Sequence, residues 1–389
     1  MITAELRRAI LAAAGPDGAE DGDPLLRPGP APGSYASSLP FRLARPGQDP
    51  REVAAALAGR LAGEPWIAVA EVTGRGFLTV TVTHDALAEL AVRIAQAGPA
   101  CMQSDALCGR SVPAAPPGPL VAAPGWPQVR AALAAQLTAR LAAAAGATVF
   151  FYPERPSVPA PAPFPAVQPE SRSAAQPESR SAAQPIAQPT AHLIAQPITL
   201  PEDGPVAAAA RYAGADAVRF ALARMPPVGS VGGPVGGSVG GPVGGPVGGP
   251  VGGAAPVAAV LARHVLANPA YAVRYAHAAA AAVLRWAAAL GTRPAGFTPR
   301  LLAEPGELAL LDALSWLPER VAVAARRGRP DEFAGYLEEL AARTIETMST
   351  TSFTTVSSIS SERLWLADAA RTGLAAGLGL LGIGAPSRL

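Results

Sequence analysis

The sequence predicts an α+β domain at the N-terminal end and an all-α helical bundle at the C-terminal end. A disordered linker and a Gly-rich insertion separate and interrupt them. Three observations carry this reading. Residues 77–83 alternate apolar side chains with threonines, the period of a half-buried strand. Residues 256–381 place apolar side chains at helical spacing. Between these regions, residues 157–201 are proline-rich, with Gln-Pro-Glu-Ser-Arg-Ser-Ala-Ala twice in succession from Gln168. Residues 228–253 repeat Val-Gly-Gly-Pro or Val-Gly-Gly-Ser, a composition that cannot bury enough apolar surface to offset its ordering entropy. The expected boundaries are 1–95 for the α+β domain, 96–156 for a reduced middle segment, 157–204 for the linker and 205–389 for the bundle.

Taken in order, residues 1–14 predict a helix. Residues 50–61 predict another: Val53, Ala54, Leu57 and Leu61 share one face, and Pro50 suits the first turn. Residues 66–72 and 77–83 form a hairpin around Thr73-Gly-Arg-Gly76, with Leu78, Val80 and Val82 inward and Thr79, Thr81 and Thr83 outward. Residues 129–145 are helix-like and residues 147–152 are a short apolar run. Asn268 is placed to cap a helix that begins with Pro269. Leu310, Leu314, Leu317, Val321 and Ala324 mark a second amphipathic helix, and Phe333, Tyr336, Leu337 and Leu340 a third. The Thr/Ser run 349–361 reads as a loop. Ala367, Ala370, Leu374, Leu378 and Leu381 mark the last helix, which Gly382 ends.

Half of the 389 residues are apolar and the formal net charge is only +2. No global field therefore steers the chain to nucleic acid, and any RNA contact must come from local arginines and aromatic faces. All 31 basic residues are arginine. Cys101 and Cys108 fit neither a redox nor a zinc spacing, and no metal site is expected. The short apolar run near residue 10 meets Gly15-Pro-Asp-Gly at once and does not make a signal peptide. No stretch offers about 20 uninterrupted apolar residues, so no membrane span is expected and a cytoplasmic location is.

Asn268-Pro-Ala-Tyr-Ala-Val-Arg-Tyr-Ala-His277 resembles the Asn-Pro-x-Tyr-x-Val-Gln-Tyr-Ala-His segment that opens the anticodon-binding domain of arginyl-tRNA synthetases. Gly214-Ala-Asp-Ala-Val-Arg-Phe220, Tyr336-Leu-Glu-Glu-Leu-Ala341 and Leu380-Leu-Gly-Ile383 with Pro386 resemble that family's flanking landmarks, in the same order. The N-terminal region is similar to the family's N-terminal domain over Ser34-Tyr-Ala-Ser-Ser-Leu-Pro-Phe-Arg-Leu-Ala-Arg-Pro46, Asp49-Pro-Arg-Glu-Val-Ala54 and Gly74-Arg-Gly-Phe-Leu78. The resemblance implies tRNA as the partner, with neither DNA nor membrane.

A class I synthetase also needs a His-x-Gly-His turn at a helix N-terminus and a mobile lysine-bearing loop to stabilise the transition-state phosphates. The four histidines, His84, His192, His264 and His277, include no such pair, and the chain contains no lysine. Arginine's planar fork does not replace a compact ammonium. About 120 mostly low-complexity residues separate the two family-like ends, where a nucleotide-binding domain with its insertion needs about twice that. The expectation is a non-catalytic relative with no catalytic residues and no cofactor; ATP enters only if the chain is an arginine–tRNA ligase after all. A protein-interaction scaffold with a decayed RNA surface is the third reading. The segment 125–153 is then an addition to the first domain or a remnant of the lost centre.

On the helix from Pro269, Val273, Ala280 and Leu284 should face the core, and Tyr271, Tyr275, Ala278, Ala282 and Trp286 form another face. The resemblance implies that Tyr271, Arg274, Tyr275, His277 and the C-terminal Leu389 lie on the anticodon side. It implies Arg42, Arg45, Arg75 and Phe77 for the outer corner of tRNA. Arg274 stands where the family has Gln, and Leu389 where it often has Met.

Overall fold

Strand pairing in the first domain is organised around an interior strand. In the computed structural model, which describes residues 1–15, 23–114, 125–151, 186–187, 198–226, 258–355 and 359–389, four strands form an antiparallel sheet in the order β1-β2-β4-β3. They are β1 (Leu26–Pro28), β2 (Ser34–Ser37), β3 (Ile67–Thr73) and β4 (Phe77–Val82). The hairpin β3–β4 forms as the alternation predicts, and Leu78, Val80 and Val82 enter the core. Thr79 departs from the expected outward face. It is buried on the second face of the sheet, and its hydroxyl is satisfied by Thr73 Oγ1 at 2.7 Å. Thr83 has left the strand: its side chain accepts from the Ala86 N–H and caps a helix that the alternating pattern concealed.

Four helices complete this domain: α1 (Ile2–Ala14), α2 (Leu39–Leu43), α3 (Pro50–Leu61) and α4 (His84–Ala97). Asp49 caps α3 by accepting from the Arg51 N–H. The start of α3 closes on the hairpin tip, where Gly76 has φ 125° and a Cβ would lie 2.8 Å from Pro50. Only glycine fits both constraints.

The middle segment holds β5 (Ser111–Ala114), α5 (Trp126–Ala144) and β6 (Thr148–Phe151). β5 and β6 are parallel neighbours joined through α5, which is one βαβ crossover; β7 (Ile186–Ala187) adds to β6 antiparallel. The short apolar run at 147–152 is thus a strand. The linker and the Gly-rich repeat otherwise lie outside the described residues.

The C-terminal region is helical: α6 (Gly204–Ala213), α7 (Ala215–Ala223), α8 (Ala258–Leu261), α9 (Pro269–Ala289), α10 (Pro305–Ser315), α11 (Leu317–Arg327), α12 (Pro330–Met348), α13 (Thr351–Thr354) and α14 (Ser361–Leu380). The helix expected across 310–324 is two helices that meet at Trp316. Pro318 cannot donate to the carbonyl four residues back, so the chain tightens there and restarts with the same apolar phase. The Thr/Ser loop contains a helical turn, α13, which buries Phe353. The last helix follows the predicted stripe, and Gly377 lets it approach α12 so closely that a Cβ would sit 2.5 Å from Leu337 Cδ2. Gly382, at φ 70°, ends it as read.

The two ends of the chain pack directly on each other. α4 of the first domain lies against α14 and α10, and α5 lies against α11 and α7. At the seam, Arg7 donates to Glu319 at 2.7 Å, and Arg326 reaches Glu319 at 3.1 Å and Asp23 at 2.6 Å. Ser315 is gripped twice: its carbonyl accepts from Thr3 Oγ1 at 2.8 Å and its hydroxyl from Tyr35 at 2.7 Å. Gly33 N–H donates to Asp312 at 2.9 Å, and the Tyr35 and Trp316 rings lie 5.2 Å apart. Burial, with the nearby Asp312 charge, pushes the Tyr35 hydroxyl well above its ordinary range. No helix among the described residues is long and apolar enough to cross a membrane.

The Arg7 and Glu319 side chains are 3% and 4% exposed. Glu319→Ala leaves Arg7 and Arg326 to share Asp23 as their remaining carboxylate at a buried seam, so it should cost about 3 kcal/mol in denaturant unfolding. The double variant Arg7→Met/Glu319→Leu should cost clearly less, because the surplus buried guanidinium is gone and Arg326 keeps Asp23.

Candidate nucleic-acid interface

Asn268 sits at the N-cap of α9 with extended backbone, but its side chain does not cap the helix. Its amide nitrogen donates instead to the carbonyls of Leu261 at 2.9 Å and Arg263 at 2.8 Å. This fork folds the segment before the helix back over the first turn, and His264 lands on Tyr271. The two rings are stacked, 5.4 Å between centroids and 9° between planes. Tyr271 stacks in turn on Tyr275, one turn along α9, at 5.8 Å and 25°. The result is a ladder of three rings at the surface. Tyr275 is 38% exposed, His264 is exposed and Tyr271 is half-buried. The core stripe of α9 runs through Val273 and Ala280 as expected, with Leu284 at its edge; Ala276 and Ala287 extend it.

Arg274 lies beside the ladder, half-buried, and its Nε has no acceptor among the described residues. An exposed ring with a guanidinium next to it offers stacking for a base and charge for a phosphate. His277 is placed differently. It is 4% exposed, and its Nδ1 lies 2.9 Å from the Pro386 carbonyl oxygen. A carbonyl only accepts, so Nδ1 carries the proton. Burial lowers the imidazole pKa and Arg371 adds to that, against the opposing effect of the Pro386 bond. His277 thus ties down the C-terminal tail and presents no ring face to a ligand. Arg285 holds the tail again through the Ser387 carbonyl at 2.6 Å. Leu389, 56% exposed, extends past both ties.

The N-terminal candidates gather at the hairpin end of the first sheet. Phe77 packs edge-on against Phe41 at 4.9 Å, with Arg42, Arg45 and Arg75 exposed nearby in the chain. The structure therefore makes two separate groups: Tyr271, Arg274 and Tyr275 on the bundle, and Phe77 with its arginines on the sheet domain. His264 and Phe41 belong to these groups and escaped the sequence reading. His264 lies outside the helix and joins the ladder only through the Asn268 fork, which has no periodic signal. Phe41 lies on a helix of five residues, too short to show a face.

Two family matches define the class, a chain assembled from aminoacyl-tRNA synthetase domains. The Arginyl tRNA synthetase N terminal domain family matches residues 1–82 and the DALR anticodon binding domain family matches residues 273–389. An arginine–tRNA ligase of Clavibacter sepedonicus is 40% identical over 136 residues, covering 34% of this chain and 24% of that protein. Another, of Kineococcus radiotolerans, is 43% identical over 136 residues, covering 33% and 24%. The matched stretches span about a quarter of the length of these curated relatives. The solved structure of Thermus thermophilus arginyl-tRNA synthetase is similar in fold, with a TM-score of 0.60 at 16% identity over 99% of this chain and 100% of that one. The chain belongs to the arginyl-tRNA synthetase family, with its anticodon-binding domain.

Because the folded state holds the His277 pKa down, the unfolded chain takes up a proton first. The contribution of His277 to stability is complete above about pH 6.5 and is lost as pH falls through the lower folded-state value. The melting temperature should therefore drop between pH 7.5 and pH 5, and His277→Gln should flatten part of that slope.

Proposed function

We propose that this chain is a non-catalytic tRNA-binding member of the family, which holds an anticodon stem-loop against the outer face of α9. The observation that carries this is the ladder His264–Tyr271–Tyr275. Three rings stacked in sequence on one surface are a platform for unstacked bases, and single-stranded loops are where proteins read RNA by stacking. Arg274 supplies the adjacent cation.

The non-catalytic part rests on chemistry in the sequence. The class I centre uses imidazoles and ammonium groups around a helix N-terminus. Here the crossover β5–α5–β6 is preceded at α5 by Ala115-Pro-Pro-Gly-Pro-Leu-Val-Ala-Ala-Pro-Gly125, which contains no histidine, lysine, serine or threonine. A chain without lysine also has no ammonium loop to place on pyrophosphate. We read this crossover as what remains of a nucleotide-binding domain. The second reading is an arginine–tRNA ligase, which the names of the relatives favour.

One set of measurements separates the two. The purified chain should give no arginine-dependent ATP–pyrophosphate exchange above a no-protein control, and exchange above it means that the ligase reading is right. It should shift bulk tRNA in a salt-sensitive manner. Tyr271→Ala and Tyr275→Ala should each lose ~1–3 kcal/mol of tRNA affinity with near-normal melting temperatures, whereas Tyr→Phe should keep it. Arg274→Ala should lower the salt slope by about one. Full tRNA affinity in all three alanine variants removes α9 as the RNA surface.

A further inference from the structure

A cavity of about 360 Å³ opens at the seam between β1 and α11. Four arginines line it, Arg27, Arg320, Arg326 and Arg327, against two carboxylates, Asp23 and Glu319. Both carboxylates are already engaged. Arg326 and the buried Arg7 each pair with both of them, so these four groups balance one another. Arg327 pairs with Glu332 at 3.0 Å. Two cations are left over. Arg27 is exposed and has no carboxylate partner among the described residues. Arg320 sets its guanidinium over the Trp316 ring at 5.5 Å and the Tyr336 ring at 5.7 Å, and its Nε is buried without an acceptor. Ring faces fix a guanidinium in place but do not satisfy its donors.

A cavity at a domain seam with surplus guanidinium donors and a partly apolar wall has the chemistry of an oxyanion site. Its size is at the small end of ligand pockets and admits one nucleotide unit. The planar fork of arginine matches phosphate geometry. We propose that this cavity binds the phosphate of a single nucleotide, either free or as one unit of an RNA strand. The site involves neither α9 nor its rings, so it stands apart from the proposed anticodon surface.

The test uses the full chain and calorimetric titration with adenosine monophosphate and with adenosine, followed by tRNA binding at several salt concentrations. If free nucleotide is the ligand, adenosine monophosphate binds and adenosine does not. Arg27→Gln and Arg320→Gln should then each weaken binding by about tenfold or more. If an RNA phosphate is the ligand, Arg27→Gln lowers the salt slope of tRNA binding by about one. Arg27 is exposed, so its variant should melt normally and remains informative if Arg320→Gln unfolds. Tyr275→Ala should leave nucleotide binding unchanged, which separates failure here from failure of the α9 surface. Two results overturn the proposal: nucleotide binding that survives both arginine variants, or no nucleotide binding together with an unchanged salt slope.

Discussion

Glu319 accepts from Arg7 and Arg326 at a place screened from water, and Asp23 completes the set from the strand side. Pairs of this kind give little net stability over a hydrophobic substitute, yet removing one member is costly. Their effect is therefore on register: only one docking of the sheet domain on the bundle satisfies all four charges. The corner between α10 and α11 concentrates the rest of the seam, since Asp312, Ser315 and Trp316 lie within one turn of each other and each meets the first domain. The break that Pro318 imposes makes this corner. Tyr336 reports the same position from the far side by donating to the Ala313 carbonyl at 2.7 Å. The first sheet, the corner and α12 are thus held by one continuous set of bonds.

The candidate surface on α9 depends on a smaller device of the same type. Asn268 is buried, and its two amide bonds to Leu261 and Arg263 decide where the preceding segment lies. Without them His264 would have no reason to cover Tyr271. The inner side of α9 is nearly all alanine, with Ala276, Ala280 and Ala287 buried, so α14 and α12 approach it closely and leave it rigid. A packed helix presents its two tyrosines at fixed spacing, which lowers the entropy that any stacking ligand would have to offset.

Much of this was legible in the chain because the relevant signals are local. Asn268-Pro269 marked the start of α9, alternation marked β4, and the leucine stripe with Gly382 marked α14. Other features were hidden for identifiable reasons. β1 and β2 are three and four residues long and show no period. Thr83 continued the strand alternation and so concealed that Thr83, with Leu87, Leu90 and Ile94 behind it, caps and builds α4. The stripe from Leu310 to Ala324 kept its phase across Pro318, so one helix was read where two exist. Thr79 looked exposed because alternation is blind to what covers the second face. The seam could not be read at all: Arg7 and Glu319 are 312 residues apart. Of the site residues, Tyr271 and Tyr275 stack on one face, with Arg274 on the neighbouring one, while His277 is a tie for the tail.

The packing of α4 on α14 also sets a schedule. Residues 84–97 leave the ribosome long before residues 361–380, yet Leu87, Leu90 and Ile94 belong to a core that the later helix completes. Chains emerge at about 5–20 residues per second, so the first domain waits on the order of ten seconds or more with that flank uncovered. During that interval its apolar side is open to chaperones and to other nascent chains. Nonsense truncation before α10 would remove both helices that cover this flank, leaving a species for quality control to recognise and remove.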